Sequence, residues 1–274
     1  MRIFKENPAL NLDQKVHWRD LTSSGLALAL TEASLNHDGL TVVITNSAKE
    51  ATYQRGAIEF FSKGQDLPIL IFPDWETLPY DIFSPHQDII SGRLKTLSKL
   101  PTTKQGILLV PITTIMHRLA PVDFVSSRSF HYQVGDELDR DNLQSQLNKV
   151  GYNRVDTVYE HGEFAFRGSI IDIFPMGAKS PFRLDLLDTE VESLRLFDPE
   201  SQRTIESVQR IDVLPAREFP LDKQSINTFL NKWHDCFNNN PDPCPVYRDV
   251  KESIAPQGIE YYSSLFFEKT ATLF

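Results

Sequence analysis

EFAFRGSIIDIFPMGAKSPFRLDLLD, residues 163–188, holds two apolar runs separated by a segment containing Pro175, Gly177 and Pro181. Each run is short, rich in Phe, Ile and Leu, and bounded by turn-forming residues, which reads as a hairpin-like pair of strands. In the second run Phe182, Leu184 and Leu186 share one face, and Arg183, Asp185 and Leu187 share the other, because side chains alternate along a strand. One side of this sheet is therefore buried, and the other shows water an arginine beside an aliphatic residue. Arg167 sits in the first run in the same way. The pattern alone leaves two readings open. The face is a docking surface, or each arginine pairs with a neighbouring carboxylate, Asp172 or Asp185, and Leu187 is an ordinary exposed aliphatic.

Working outward, further strand-like runs lie at 154–159 and 191–197, with Asp188, Thr189 and Glu190 as the turn before the second of them. A helix carrying Leu143, Leu147 and Val150 on one face is expected to start near Asp139 and stop before Gly151. Helix and strands are segregated here, which predicts an α+β region with an antiparallel sheet, beginning near Pro121. Upstream the pattern differs. TVVIT (41–45), LPILIF (67–72) and GILLVP (106–111) are short apolar runs of the kind buried in parallel sheets, and helical lengths at 47–62 and 89–100 separate them. Leu26, Leu30 and Ala33, with Leu28 beside them, form an apolar stripe behind Thr22, Ser23 and Ser24, which predicts a capped helix. This is an α/β lobe. Downstream, 225–237 reads as a helix, NNNPDPCP (238–245) as a break, and 260–267 as an aromatic-rich patch without an assignable element. The chain stops at ATLF without a polar tail, so we expect a segment of something longer.

The composition narrows the function. The 274 residues are 41% hydrophobic and 24% charged, enough for a substantial core, and the net charge is −9. No basic stripe suits duplex nucleic acid, so autonomous tight DNA binding is not expected. An apolar signal core and a membrane-length apolar run are both missing, which favours a cytoplasmic protein without membrane attachment. Cys236 and Cys244 are the only cysteines. His234 and Asp235 lie close by, but no fourth ligand or zinc spacing is visible, and two reduced, incidental thiols are expected.

An α/β lobe invites a search for a phosphate-binding loop, yet none of the 12 glycines precedes a lysine. The nearest candidate is DLTSSGLALAL (20–30), where Leu26 follows Gly25. The segment FPDWETLPYDIFSPHQDIISGRL (72–94) is rich in functional residue types, Asp74, Glu76, Asp81, His86 and Asp88 among them, but lacks a metal or acid-base spacing. It is expected to be a loop whose Trp75, Leu78, Tyr80 and Phe83 pack onto the lobe, with Ser84 or Asp88 capping the next helix. His161, beside Gly162, reads as a turn residue. No Ser-His-Asp motif such as G-x-S-x-G occurs.

DWETLPYDIFSPHQDIISGRL (74–94), GILLVPITTIMHRLAP (106–121), GYNRVDTVYEHGEFAFRGSIIDIFPMG (151–177), FRLDLLDTEVESLRLFDPESQRT (182–204) and LPAREFP (214–220) together resemble the N-terminal region of the bacterial transcription-repair coupling factors, the Mfd family. The resemblance implies a UvrB-like fold: an N-terminal segment 1–20, a degenerate helicase-like, P-loop-type α/β lobe over 21–120, an inserted α+β domain over 121–209, and a piece over 210–274 that joins the N-terminal segment. It implies a non-catalytic module that recruits UvrA to stalled RNA polymerase in transcription-coupled nucleotide excision repair. In that family the ATP- and Mg-dependent DNA translocase and the RNA polymerase contact lie in other domains, so no cofactor is implied for these residues. Carried over by position, the UvrA contacts fall on Arg167, Arg183 and Leu187, the last in place of a phenylalanine found in close relatives. The resemblance also implies masking of this surface by a C-terminal domain, and we expect the segment to be monomeric. The competing expectation is a UvrB-like lobe that binds nucleotide or DNA, against which the missing Gly-Lys pair counts.

Overall fold

The structure is a computed structural model that describes residues 15, 17–79, 81–237, 241 and 243–274. Most of the expected N-terminal segment lies outside the described residues, as do Tyr80 and half of the break at 238–245. Two compact units are present. The first comprises the described residues up to Asp74 together with Lys99–His117, and the second comprises Trp75–Ser98 and Arg118–Phe274.

In the first unit α1 (Ser23–Leu35) begins where Thr22 stops the extended chain, and Thr22 Oγ1 accepts a hydrogen bond from the Gly25 amide at 3.2 Å. The capping cluster read from the sequence is thus in place. Thr22→Ala removes that acceptor and should lower stability by about 1 kcal/mol, measured as a shift of the urea midpoint of this unit. After it come β1 (Leu40–Thr45), α2 (Ala48–Phe61), β2 (Ile69–Ile71) and β3 (Gly106–Pro111). The strands form a parallel sheet in the order β1-β3-β2, so β3 is central, and all six of its residues are buried. Ala27 and Leu30 of α1, Ala51 and Ile58 of α2, and Ile107 and Leu109 of β3 make the core between helices and sheet.

The second unit has a six-stranded sheet in the order β10-β9-β8-β7-β6-β5. Its strands are β5 (Asn153–Arg154), β6 (Glu163–Arg167), β7 (Ile170–Ile173), β8 (Phe182–Leu187), β9 (Glu190–Phe197) and β10 (Thr204–Val208). All neighbours are antiparallel except β5 and β6. A separate pair joins β4 (Phe130–Gln133) to β11 (Arg210–Val213). The helices are α3 (Gln87–Lys99), α4 (Phe124–Ser127), α5 (Arg140–Lys149), α6 (Lys223–Cys236) and α7 (Pro245–Lys251), and a 3-10 helix, Ile259–Phe266, lies near the end. As expected, α5 starts behind Asp139, whose carboxylate accepts from the Asn142 amide at 2.6 Å, and it ends before Gly151, where φ is +97°.

The sequence-based description needs correction in four places. The run at 163–174 is two strands, not one. Gly168 and Ser169 form a two-residue turn between Arg167 and Ile170, with Gly168 at φ +60°, the position and residue favoured in tight hairpins. Secondly, residues 75–98, placed with the α/β lobe from sequence, group with the second unit, because Trp75, Ile90 and Leu94 are buried in the same core as Phe164, Leu184 and Phe229. That core also runs through the expected boundary near residue 210, which the β4–β11 pair spans. Thirdly, of the described residues expected to pack down in the loop after Phe72, Trp75 is buried, and Leu78 and Phe83 are exposed. Neither Ser84 nor Asp88 caps α3; the Asp88 amide instead donates to His86 Nδ1 at 3.2 Å. Finally, His161 is more than a turn residue. Its Nδ1 pairs with Asp88 at 2.8 Å, its Nε2 with the Ala178 carbonyl at 3.0 Å, and its ring lies 4.0 Å from that of Phe174.

Candidate functional site

The six-stranded sheet buries one face under Phe164, Ile171, Leu184 and Leu194, which belong to the large core. On its other face β6 to β9 gather Arg167, Asp172, Arg183, Asp185 and Arg195. Register does this: Asp172 stands opposite Arg183 across β7 and β8, and Arg183 stands opposite Arg195 across β8 and β9. Three arginines and two aspartates therefore meet on one surface of a chain whose net charge is −9.

Asp172 is completely buried, and both sequence-predicted arginines converge on it. Arg183 Nε donates to Oδ1 at 2.7 Å and its Nη2 to Oδ2 at 2.9 Å, and Arg167 Nη2 also donates to Oδ2. The hydrogen bonds it donates to Asp172 hold the Arg183 guanidinium more firmly protonated than usual, despite the opposing cost of burial. Arg183 also lies over the Phe197 ring, 4.5 Å from its centroid, and makes long contacts of 3.4 Å to the carbonyl and side-chain oxygens of Gln202. What remains accessible is uneven. Arg183 is 15% exposed and Arg167 43%.

Leu187 closes the β8–β9 hairpin opposite Glu190, beside the two-residue turn Asp188–Thr189, where Asp188 adopts φ +56°. It is 62% exposed. Alternation along β8 turns Leu186 into the core and leaves Leu187 outside, and an extra residue in β9, Glu192, keeps Val191 opposite Leu186. The structure thus places Arg167 on β6 and Arg183 and Leu187 on β8 of one sheet, with β7 between them. It also adds a residue that sequence reading missed. Arg195, 36% exposed, donates to Asp185 through Nη2, while its buried Nε has no hydrogen-bond partner among the described residues. The signal was available, since Arg195 stands between Leu194 and Leu196 as Arg183 stands between Phe182 and Leu184.

A second polar centre in this unit is a cleft of about 340 Å³ whose lining includes Ser84, Gln87, Arg217, Glu218 and Glu260. Burial pushes the Glu260 carboxyl up to about 7 and pulls Arg217 down. Ser84 Oγ donates to Glu260 at 3.0 Å and accepts from the Gly258 amide at 3.0 Å, which ties the loop before α3 to the 3-10 helix. His234 is hydrogen-bonded to the Tyr247 hydroxyl at 3.1 Å, and Cys236 and Cys244 are free thiols. Among the described residues no group of three His, Cys, Asp or Glu side chains is placed to hold a metal ion, and no helix is long and apolar enough to cross a membrane.

Comparison with known proteins locates the arginine face within a recognised family segment. The family model described as the UvrB interaction domain matches residues 130–219, which include every residue of that face. The chain is 45% identical over 250 residues to the transcription-repair-coupling factor of Escherichia coli, covering 91% of the chain and 22% of that protein. The factor of Haemophilus influenzae is 43% identical over 90% of the chain and 22% of its own length, and that of Bacillus subtilis 35% identical over 64% of the chain and 15% of its length. The chain therefore spans about a fifth of the length of the first two relatives.

Proposed function

This chain is a relative of the transcription-repair-coupling factors and matches the UvrB interaction domain family over residues 130–219, and from that we propose that it is a non-catalytic docking module that recruits UvrA to stalled RNA polymerase. The observation that carries the reading is the outer sheet face. Arg167 and Leu187 stand exposed on it, backed by a buried carboxylate and inside the matched segment. A guanidinium with free donors suits an acidic partner surface, and the adjacent leucine supplies apolar contact. On this reading Leu187 gives less contact area than an aromatic residue would.

The first unit fits a degenerate helicase-like lobe. Its parallel β1-β3-β2 sheet is compatible with that reading, and no glycine-lysine pair occurs to bind a nucleotide phosphate. ATP-driven translocation on DNA and contact with RNA polymerase then belong to parts of the longer protein beyond this segment, as does a domain that masks the face until polymerase is engaged. Arg167→Glu is the direct test of this reading. Binding of UvrA, measured by surface plasmon resonance, should weaken by about thirtyfold, the order expected when a central arginine contact is reversed. Unchanged affinity in a folded variant would remove the docking reading.

A further inference from the structure

The two sequence-predicted arginines do different work. Arg183 has spent its donors inside the protein. Its Nε and Nη2 form a two-pronged pair with the buried Asp172, its face is covered by Phe197, and the Gln202 oxygens lie beside its remaining donors. Only 15% of it is exposed, which leaves little to offer a partner. Arg167 is the opposite case. It gives Asp172 one bond through Nη2, and its 43% exposure leaves the rest of a five-donor fork facing outward.

We infer that Arg183 and Asp172 form a buried clamp that positions Arg167, and that Arg167 rather than Arg183 makes the ionic contact with the acidic partner. This rests on the docking reading above and divides the labour within it. The physical basis is preorganisation. A free arginine side chain loses rotamer freedom when it is fixed, and binding is weaker by whatever part of that cost falls on the encounter. Asp172 meets that cost during folding, because its carboxylate is fixed at the centre of the sheet and holds Arg167 in place before any partner arrives. Arg183 in turn pairs with both oxygens of the buried Asp172 carboxylate and orients it. Without a charged partner, a carboxylate this deeply buried would be strongly disfavoured. Gln202 completes the support. It adopts φ +60° and donates through Nε2 to the Val158 carbonyl at 3.2 Å and the Pro199 carbonyl at 2.7 Å, which fixes its oxygen beside Arg183.

The test uses the whole 274-residue chain and UvrA, with affinity read by surface plasmon resonance and folding by circular dichroism. Arg183→Lys keeps the charge and the length of the side chain but cannot reproduce the two-pronged geometry. It should weaken binding about tenfold, nearly as much as Arg183→Gln, whereas a direct charge contact predicts near-normal binding for the lysine variant. Asp172→Asn should also weaken binding about tenfold. If the arginines were direct contacts for which Asp172 merely competes, the same change would leave binding unchanged or strengthen it. The deciding readout is coupling, which a general loss of stability would not produce. Asp172→Asn and Arg167→Gln combined should cost little more than either alone, because one places the group that the other removes. Additive losses, or a lysine variant that binds normally, would overturn the clamp. Failure of Arg167→Glu to affect binding would instead overturn the docking reading itself, so the two failures are distinct.

Discussion

Replacing Glu218 by alanine is expected to destabilise the second unit by about 3–5 kcal/mol, the cost of breaking a buried ion pair by removing one partner. Arg93 is wholly buried and Glu218 nearly so, and they meet through two bonds, Nε to Oε1 at 2.5 Å and Nη2 to Oε2 at 3.1 Å. Trp75 completes the arrangement: the guanidinium carbon lies 4.7 Å from its ring centroid, and its indole Nε1 donates to Glu218 Oε1 at 3.4 Å. Alanine strips the carboxylate from a guanidinium that cannot escape by losing its proton, because arginine stays charged at any ordinary pH. The loss should appear as a lower urea midpoint for the transition reported by Trp75. Glu218→Gln keeps an acceptor for the indole and should fall between wild type and alanine. The double change Arg93→Met and Glu218→Leu removes both charges and should recover most of the loss, since a well-packed apolar pair costs little in place of a buried ion pair. A Glu218→Ala midpoint within about 1 kcal/mol of wild type would mean that other groups or solvent support the Arg93 charge without Glu218.

The same pair shows why parts of the fold were legible in the sequence and others were not. Features set by neighbouring residues were readable: the Thr22 cap of α1, the Asp139 cap and Gly151 stop of α5, and the Asp188 turn between β8 and β9. The allegiance of residues 75–98 was not, because it depends on Trp75 meeting Glu218 143 positions away and Arg93 meeting it 125 positions away. Strands β4 and β11 were missed for the same reason. Each has four residues, too few for a clear alternation, and they pair across about 80 positions of chain. β10 was missed because it is an edge strand whose first four residues are exposed, so it lacks the buried stripe that marks a strand. The turn at Gly168 was hidden by a different effect. Strong apolar residues on both sides made one continuous run outweigh a single glycine. At the arginine face, alternation identified the side on which Arg183 and Leu187 stand, and the resemblance implied a role for three residues. Neither could separate Asp172 from Asp185 as the partner of each arginine. That choice is made by the cross-strand register, which sets Asp172 opposite Arg183 and leaves Asp185 to Arg195.

Glu260 should make the stability of the second unit fall as pH rises from about 4.5 to about 7. Burial raises its carboxyl from an ordinary value of 4.5 to about 7, against the opposing help of the Ser84 hydrogen bond and the nearby Arg217. In the unfolded chain the group loses its proton near 4.5, whereas in the folded protein it keeps the proton until about 7. Between those limits the native state binds more protons than the unfolded state, so stability declines with rising pH and levels off above the upper limit. At 1.36 kcal/mol for each pH unit, an interval of about 2.5 units sets an upper figure of about 3 kcal/mol, lowered to the extent that water reaches the cleft. Glu260→Gln imitates the protonated form and keeps an oxygen to accept from Ser84. It should match wild type at pH 4.5 and exceed its stability by up to about 3 kcal/mol at pH 8, as measured from urea midpoints at both values. Arg217→Met should move the wild-type decline to higher pH, because it removes the cation that favours the ionised carboxylate. Parallel pH profiles for wild type and Glu260→Gln would show that the carboxylate is solvated in the folded protein. The cleft would then be an open surface rather than the buried joint between the Ser84 loop and the 3-10 helix.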